Sequence, residues 1–327
     1  MVKGRILSGC RVTGKIHIGN LFGALTNWVK LQNEYECFYE IADLHALTTN
    51  YSHTMDIKTK IREMAADWIA AGIGAEKATI FVQSMVPEHA ELHLLFSMIV
   101  PLPWLERNPT VKEMVRDLNL QNKVNYGLLG YPVLQAADIL IYKADTVPVG
   151  EDQLAHVELT RQIARRFNSI YGVIFPEPVS ILTEFSKVPG IDGRKMSKSL
   201  GNVILMDESS ESIKEKVMRA FTDPLKIRKE DKGHPDGCVV FAYHKTVNKN
   251  RVDEIRKDCT QGKIGCVSCK EEAAKYMDKI LKPYRERRSM LKDEDIDAIL
   301  KEGSKKARKV AKKTLKEVRE AMNLWKE

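Results

Sequence analysis

The first two hundred residues alternate between short apolar runs and longer stretches with a helical pattern. The apolar runs predict three buried strands: GRILSG at 4–9, CFYEIAD at 37–43 and TIFVQS at 79–84. Between the first two runs, Leu21, Leu25 and Trp28 lie on one helical stripe. Repetition of strand and helix predicts an α/β fold with a doubly wound parallel sheet, which binds ligands at the carboxyl ends of its strands.

From about Asp207 the pattern changes to charged helical segments. The run CVVFAY at 238–243 still predicts a strand. Further on, residues at helical spacing trace the apolar face of a basic amphipathic helix: Ala307, Val310, Ala311, Leu315, Val318 and Met322. We therefore expect an α/β catalytic domain over residues 1–205 and a C-terminal α-helical domain over 206–327.

The positive charge of the chain is concentrated at its C-terminal end. The formal net charge is +8, and residues 301–327 carry ten Lys and Arg against four Glu. Such a segment suggests an anionic partner, either nucleic acid or a membrane surface, although a solvated helix face is an equal alternative. No run reaches the roughly 18 apolar residues of a membrane helix, and the N-terminus lacks a signal-peptide pattern, so we expect a cytoplasmic protein without a membrane partner.

The segment SGCRVTGKIHIGN, residues 8–20, joins the first predicted strand to a helix that starts near Asn20. Exposed backbone N–H groups at a helix start form a phosphate site, and His17 and Asn20 add polar groups to it. The segment matches neither GxxxxGK[ST] nor GxGxxG, which excludes the two common phosphate motifs. By itself, a histidine beside glycines is more often structural than catalytic.

A second segment rich in serine and glycine, GRKMSKSLGN at 193–202, carries Lys195 and Lys198 on a predicted loop. Lysines on a flexible loop neutralise charge that builds on a leaving phosphate group, as in phosphoryl and nucleotidyl transfer. For two lysines alone, a charged surface loop is the alternative.

Together, HIGN and KMSKS resemble the signature of class I aminoacyl-tRNA synthetases, in which two such motifs bracket a Rossmann-type ATP-binding domain. Longer stretches resemble bacterial tryptophanyl-tRNA synthetases: ADLHALT (42–48), GYPVLQAADILIYKADTVPVGEDQLAHVELTRQIARRFN (130–168) and PGIDGRKMSKSLGN (189–202). The resemblance implies activation of L-tryptophan with ATP and Mg²⁺, transfer to tRNA(Trp), anticodon recognition by the C-terminal helices, and a homodimer. The alternatives are a tyrosyl-tRNA synthetase and a non-catalytic RNA-binding protein derived from a synthetase.

The resemblance also assigns roles to individual positions. It implies a catalytic set of Lys195, Lys198, His17 and Asn20. It assigns ATP binding to Arg11, Thr13, His17, Gly19, Asn20, Lys112, Gly150, Asp152, Lys195, Met196, Ser197 and Lys198. It assigns tryptophan binding to Gly9, His45, Tyr131, Gln135, Asp138, Val147, Val149 and Gln153. Within that set, Asp138 is expected to accept the indole N–H, because an unpaired buried donor is costly and the requirement for an acceptor gives selectivity.

Two residues depart from the family pattern. Val12 stands where the family usually has proline, which loosens the turn but removes no chemical group. Gln135 replaces the methionine found beside the indole in many bacterial members, and its amide could share the indole N–H with Asp138.

Four of the six cysteines cluster in the helical part of the chain: Cys238, Cys259, Cys266 and Cys269. Cys10 and Cys37 are isolated and are expected to be buried thiols, since disulfides are rare in the cytoplasm. The CVSC spacing lets two thiolates face one metal; four thiolates suit zinc or an iron–sulfur cluster, and four unconnected thiols are a third possibility. Some bacterial tryptophanyl-tRNA synthetases carry a similar set that binds a [4Fe–4S] cluster, and this resemblance favours iron–sulfur over zinc.

Overall fold

Five parallel strands form a sheet in the computed structural model, which describes residues 2–117, 120, 123–182 and 188–325. The strands are β1 Arg5–Arg11, β2 Glu36–Ala42, β3 Ala78–Val82, β4 Thr146–Val149 and β5 Val179–Leu182. Their order is β3-β2-β1-β4-β5, and every neighbouring pair is parallel. The predicted doubly wound α/β fold is confirmed.

Helices cover both faces of the sheet and make up the C-terminal part. Those preceding β4 are α1 Ile18–Asn20, α2 Thr26–Leu31, α3 Asp43–Asn50, α4 Ile57–Ala71, α5 Glu88–Ser97, α6 Leu102–Glu106, α7 Pro109–Asp117 and α8 Tyr126–Ile141. Those following it are α9 Leu154–Tyr171, α10 Ser210–Arg219, α11 Val239–Val247, α12 Val252–Thr260, α13 Cys266–Met290 and α14 Asp293–Ala321. A π-helical turn, Leu21–Leu25, joins α1 to α2.

Alternate side chains of β2 point to opposite faces of the sheet, so this strand contributes to two cores. On one face Tyr39 stacks on Trp28 with ring centroids 4.7 Å apart, and Trp28 meets Trp68 edge-to-face at 5.0 Å. On the other face Phe38 stacks against Tyr142, with centroids 4.7 Å apart. Helices cover both faces, which explains why the strands appear in the sequence as nearly continuous apolar runs.

The order of the strands reverses between β1 and β4, which pair at Ile6 and Thr146. In a doubly wound sheet this reversal leaves a crevice at the carboxyl ends of the two strands, because the connections on either side leave in opposite directions. The crevice lies directly after Arg11 and Val149, the last residues of β1 and β4.

The prediction of a strand at 238–243 was wrong, because this run lies in α11, Val239–Val247. Val240, Tyr243 and Val247 are buried at helical spacing, and α11 packs against α13. A short run that is apolar throughout has no alternation, so a strand cannot be distinguished from a buried helix turn by period.

The last helix, α14, lies along β3, the edge strand of the sheet. The structure confirms the predicted apolar face, with these side chains buried: Ala307, Ala311, Leu315 and Val318. The backbone N–H of Val82 donates to Ser304 Oγ at 3.2 Å, so α14 also supplies a hydrogen-bond partner for a backbone group of this edge strand. Residues 206–327 therefore share hydrophobic cores with residues 1–205. The division into a catalytic and a tRNA-binding domain stays a prediction.

Replacing Gly303 with alanine is expected to lower the free energy of unfolding by about 1–3 kcal/mol, as overpacking does in other cores. A Cβ atom at this position would lie 1.9 Å from the carbonyl oxygen of Ile80, and backbone cannot yield as a flexible side chain would. Urea titration measures the change. Gly237→Ala is the matched control, because its Cβ would meet no atom within 4 Å; an equal effect of both substitutions would contradict the prediction.

None of the helices within the described ranges is long and apolar enough to cross a membrane.

Candidate active site

A cavity of about 550 Å³ opens at the carboxyl ends of β1 and β4. This volume is within the usual range for a site that holds a small-molecule ligand. The cavity brings together most of the predicted ATP and tryptophan positions: Gly9, Arg11, Thr13, Asn20, His45, Tyr131, Gln135, Asp138, Val147, Val149, Gly150, Asp152, Gln153 and Lys195. Residues more than 180 positions apart in the sequence thus share one site.

The remaining predicted positions lie beside this cavity or away from its wall. His17, Gly19 and Met196 lie together, since a Cβ on Gly19 would be 2.9 Å from His17 Nδ1 and 3.6 Å from Met196 Sδ. Lys112 is exposed on α7, and it is Thr110 and Met114 of that helix that line the cavity. The role assigned to Lys112 therefore has no support from its position.

Hydrogen bonds join the segment around HIGN to the segment around KMSKS. The ammonium group of Lys198 donates to the carbonyl oxygen of Thr13. Two backbone hydrogen bonds continue the contact, from Ile18 N–H to the Ile204 carbonyl at 3.0 Å and from Met206 N–H to the Ile16 carbonyl at 3.1 Å. The two motifs therefore form one wall, although about 175 residues separate them in the sequence.

Asn202 holds the lysine loop in shape, a role that sequence reasoning missed. Its side-chain oxygen accepts the backbone N–H of Ser197 at 2.8 Å, and its amide donates to the Lys195 carbonyl at 3.1 Å and to Asp192 Oδ1 at 2.8 Å. These bonds fix the backbone on both sides of Met196, whose side chain is buried. The loop therefore presents Lys195 and Lys198 from an organised turn.

The imidazole of His17 is kept neutral. Burial, together with the positive charges of Lys198 and Lys195, lowers its pKa to about 4. Its Nδ1 atom is buried and has no hydrogen-bond partner within the described residues, whereas Asn20 Oδ1 accepts the His17 backbone N–H at 3.2 Å. His17 is thus a neutral ring beside two cationic side chains.

Asp138 is the centre of a buried polar network at the other end of the cavity. Its Oδ1 accepts from Gln83 Nε2 at 2.9 Å and lies 2.5 Å from His89 Nδ1. Its Oδ2 lies 2.7 Å from His45 Nε2 and 3.1 Å from Gln83 Nε2. Burial alone raises the pKa of Asp138, but the bonds and charges of His45 and His89 bring it below its ordinary value. Asp138 is therefore an ionised carboxylate held by three side chains.

Gln83 and His89 were not predicted from the sequence, and neither was His156. The hydroxyl of Tyr131 lies 2.8 Å from His156 Nε2, which fixes the tyrosine ring against the cavity. Burial and the nearby His45 lower the pKa of His156 to about 4, so its imidazole is neutral and can accept a hydrogen bond from the Tyr131 hydroxyl. No motif marks these three residues.

Glu40 is a further buried acid that sequence reasoning missed, because it lies inside an apolar run. Within the described part of the chain, Glu40, His89 and Asp138 are the one group whose ligand atoms are spaced for a metal ion. However, both ring nitrogens of His89 are already engaged, by Asp138 and by the Tyr142 hydroxyl at 2.7 Å. A metal would have to displace these bonds, so His89 and Asp138 are better described as members of the polar network, with Glu40 beside them.

The two departures from the family pattern have different surroundings. Val12 is buried and packs in the same core as Ile16, so the turn gains apolar contacts where a proline would restrict the backbone. Gln135 lies on α8 one turn before Asp138 and lines the cavity, and its contact with the indole stays a prediction.

The four clustered cysteines line a second, separate pocket. Cys238 precedes α11, Cys259 lies near the end of α12, and Cys266 and Cys269 lie in the first turn of α13. Burial and the neighbouring cysteines raise the pKa of Cys269 to about 12. Three helices thus bring the four cysteines to one pocket, and the hypothesis of four unconnected thiols loses support.

The fold and the joined motifs define a class I aminoacyl-tRNA synthetase. A family model, tRNA synthetases class I (W and Y), matches residues 2–282. The tryptophan–tRNA ligase of Thermotoga maritima is 52% identical over 98% of this chain and 99% of its own length. The corresponding ligase of Aquifex aeolicus is 45% identical over 98% of this chain and 100% of its own length.

A solved structure agrees with these relatives. The tryptophanyl-tRNA synthetase of Campylobacter jejuni, complexed with ADP and tryptophan, has a TM-score of 0.86 at 33% identity and covers 98% of this chain and 100% of its own. The chain belongs to the tryptophan–tRNA ligase family of class I aminoacyl-tRNA synthetases.

Proposed function

We propose that the cavity performs both steps of tryptophan–tRNA ligation. In the first step a carboxylate oxygen of L-tryptophan attacks the α-phosphorus of ATP, the bond to the bridging β-phosphate oxygen breaks, and pyrophosphate leaves with the electron pair. In the second step a terminal ribose hydroxyl of tRNA(Trp) attacks the tryptophanyl carbonyl, loses its proton, and AMP leaves. The observation that carries this proposal is the wall formed by the HIGN and KMSKS segments beside the cavity.

The phosphate end of the cavity is assigned to Lys195, Lys198, His17 and Asn20. Lys195 lines the cavity, and Lys198 is held against the Thr13 carbonyl, so two ammonium groups face the expected position of the phosphates. Fixed positive charges stabilise the charge that develops on pyrophosphate as it leaves. Mg²⁺ enters with ATP, whose phosphate oxygens and waters are its usual ligands.

The amino-acid end is assigned to the region around Asp138. Val147 and Val149 provide apolar walls, Tyr131 is fixed by His156, and the Asp138 network gives this end a polar base. Gly150, Asp152 and Gln153 follow β4 and line the same cavity, and we assign them to the ribose and to the amino-acid backbone. Gly9 belongs to the floor of the same cavity. Positioning alone contributes much of the rate in such transfers.

The positive face of α14 supports binding of tRNA by residues 206–327. Seven lysines lie exposed on this helix, opposite its buried apolar face: Lys301, Lys305, Lys306, Lys309, Lys312, Lys313 and Lys316. Phosphate contacts by such residues position the nucleic acid without reading its sequence. We assign the anticodon to this helical region.

We propose a homodimer on the basis of exposed apolar side chains on α5, directly after it and at the start of α6. Leu94, Met98 and Leu102 expose 55%, 67% and 52% of their surface, which is unusual for neighbouring large apolar residues. We assign the second copy of the chain to this region of the surface.

The proposed reaction is tested by ATP–pyrophosphate exchange with each amino acid added separately. Exchange with tryptophan, and none above background with tyrosine, is the expected result. Exchange with tyrosine alone would assign the chain to the tyrosine branch of the family, and no exchange with either would support a non-catalytic RNA-binding role.

The cysteine cluster is proposed to hold [4Fe–4S]. A single zinc ion with Zn–S bonds of about 2.3 Å places its sulfur ligands about 3.8 Å apart. In the described part of the chain, by contrast, no three cysteine sulfurs lie within 4.8 Å of one another. A four-iron cluster binds each thiolate to a different iron and therefore needs wider spacing. When bound, the group would join the ends of α11, α12 and α13 and hold the tRNA-facing helices in place.

Replacing Cys266 with serine is expected to remove most of the bound iron and acid-labile sulfide and to lower the melting temperature. Exchange with tryptophan should stay within about threefold of wild type, because the cysteine pocket and the cavity share no lining residue. Metal and sulfide analysis after anaerobic purification, with the visible spectrum, measures the change. Ser268→Ala, between the two cysteines of CVSC, is the control and should keep its iron. Stoichiometric zinc without sulfide in wild type would contradict the assignment.

A further inference from the structure

Asp67, a buried residue of α4, holds the backbone of the turn that leads into HIGN. It is 1% exposed, and its Oδ2 accepts the backbone N–H of Ile16 at 2.8 Å. Ile16 lines the cavity and directly precedes His17. The carbonyl oxygen of Ile16 accepts the Met206 N–H at 3.1 Å, so both of its backbone polar groups are bonded. A displacement of Asp67 would therefore move the start of the HIGN segment.

The other oxygen of Asp67 accepts hydrogen bonds from α13. Its Oδ1 accepts from the Tyr284 hydroxyl at 2.6 Å and from Arg288 Nε at 2.9 Å. Tyr284 is buried, so its hydroxyl is held against Asp67 by the packing of its ring. Arg287 Nε donates to the Ala70 carbonyl at 2.6 Å, which is a second bond from α13 to α4. The carboxylate of Asp67 thus joins α13 to the turn before HIGN.

The charge of Asp67 also acts on the lysine loop. Burial raises the pKa of Asp67 above its ordinary value, and its three hydrogen bonds limit the rise. Burial lowers the pKa of Lys198, whereas the negative charges of Asp67 and Glu63 favour its ammonium form. One buried carboxylate therefore holds the turn before the first motif and supports the charge of a lysine in the second.

We propose that Asp67 is a positioning residue through which α13 sets the geometry of the phosphate end of the cavity. It acts at Ile16, whose N–H it holds, and Tyr284 and Arg288 hold the carboxylate in turn. A small misplacement of groups that position a substrate is enough to slow a transfer reaction, even when the substitution is remote from the chemistry. Because α13 belongs to the helical region assigned to tRNA, the contact makes the site for ATP depend on that region. The inference rests on the proposed binding of ATP at this end.

The test measures the KM for ATP and the KM for tryptophan separately by ATP–pyrophosphate exchange. Tyr284→Phe removes only the hydroxyl that donates to Asp67, and it should raise the KM for ATP about three- to tenfold. Asp67→Ala also removes the acceptor of the Ile16 N–H and should lower kcat/KM for ATP about 100-fold. The KM for tryptophan should stay within about twofold of wild type in both, since Asp138 is at the other end of the cavity. Tyr276→Phe, about two turns earlier on α13, is the matched control and should behave as wild type.

Two further variants separate positioning from folding. Asp67→Asn keeps an oxygen that can accept the Ile16 N–H, so it should regain about tenfold of the kcat/KM for ATP lost in Asp67→Ala. The double variant with Asp67→Ala and Tyr284→Phe should match Asp67→Ala alone, because the hydroxyl acts through the carboxylate.

Additive effects of Asp67→Ala and Tyr284→Phe on the KM for ATP would overturn the proposal, since they would show that the two residues act independently. A loss of kcat with both KM values unchanged would overturn it as well, because it would indicate a smaller fraction of folded enzyme. If Asp67→Ala does not fold, Tyr284→Phe decides: a KM for ATP equal to that of Tyr276→Phe would refute the role of α13. Absence of any exchange in wild type would reject the proposed function itself.

Discussion

Replacing Lys198 with alanine is expected to lower kcat for tryptophan activation by about 10²–10³-fold, the usual cost of removing one fixed group that stabilises transition-state charge. The KM for tryptophan should change little, because Lys198 is bonded to Thr13 at the phosphate end of the cavity and Asp138 is at the other. ATP–pyrophosphate exchange with varied tryptophan separates the two constants. Lys195→Ala is expected to act in the same direction, since Lys195 also lines the cavity.

Two controls separate charge from structure. Lys198→Arg keeps the positive charge and a donor for the Thr13 carbonyl, and it should retain more activity than the alanine variant. Lys30→Ala removes an exposed lysine at the end of α2 and should behave as wild type. Equal loss of kcat in Lys198→Ala and Lys198→Arg would contradict the role given to the positive charge, since the arginine variant keeps that charge.

The strands and the two loops could be predicted because their signals are local. An apolar run such as the one that contains Phe38 and Tyr39 indicates a strand covered on both faces. The glycine motif and the lysine motif each occupy about ten consecutive residues. The family resemblance then predicted that the two loops belong to one site. The hydrogen bond from Lys198 to Thr13 shows their direct contact, which their separation in sequence conceals.

The polar network could not be predicted, because its members are isolated in sequence and come from different elements. Gln83 follows β3, His89 lies in α5 and Asp138 lies in α8, so only the packing of the sheet against these helices brings them together. Glu40 was concealed by the apolar run around it. For the same reason the all-apolar run in α11 was mistaken for a strand: in each case burial is visible in the sequence, but the partner is not.

Asp138→Asn is expected to have a large effect on both stability and activity. One of the two oxygens that accept from His45, Gln83 and His89 would become an amide N–H that faces donors, and the negative charge would be lost. The free energy of unfolding should therefore fall by about 3–5 kcal/mol, as when a buried charged partner is removed. The kcat/KM for tryptophan should also fall, because the polar base of the cavity loses its geometry. Urea titration and pyrophosphate exchange measure the two effects. Asp253→Asn, exposed in the first turn of α12, is the control.

The way the stability loss in Asp138→Asn depends on pH tests whether the charge of the Asp138 carboxylate causes it. The pKa of Asp138 is below its ordinary value in the folded protein, so the unfolded chain binds the proton first and protonation favours unfolding. The stability that this carboxylate contributes is therefore fully present above the ordinary pKa of about 3.9 and is lost as pH falls through the folded value. The difference in unfolding free energy between wild type and Asp138→Asn should be largest near neutral pH and should shrink below about pH 4. A difference that stays constant down to pH 3 would mean that the substitution acts through packing and not through the charge on Asp138.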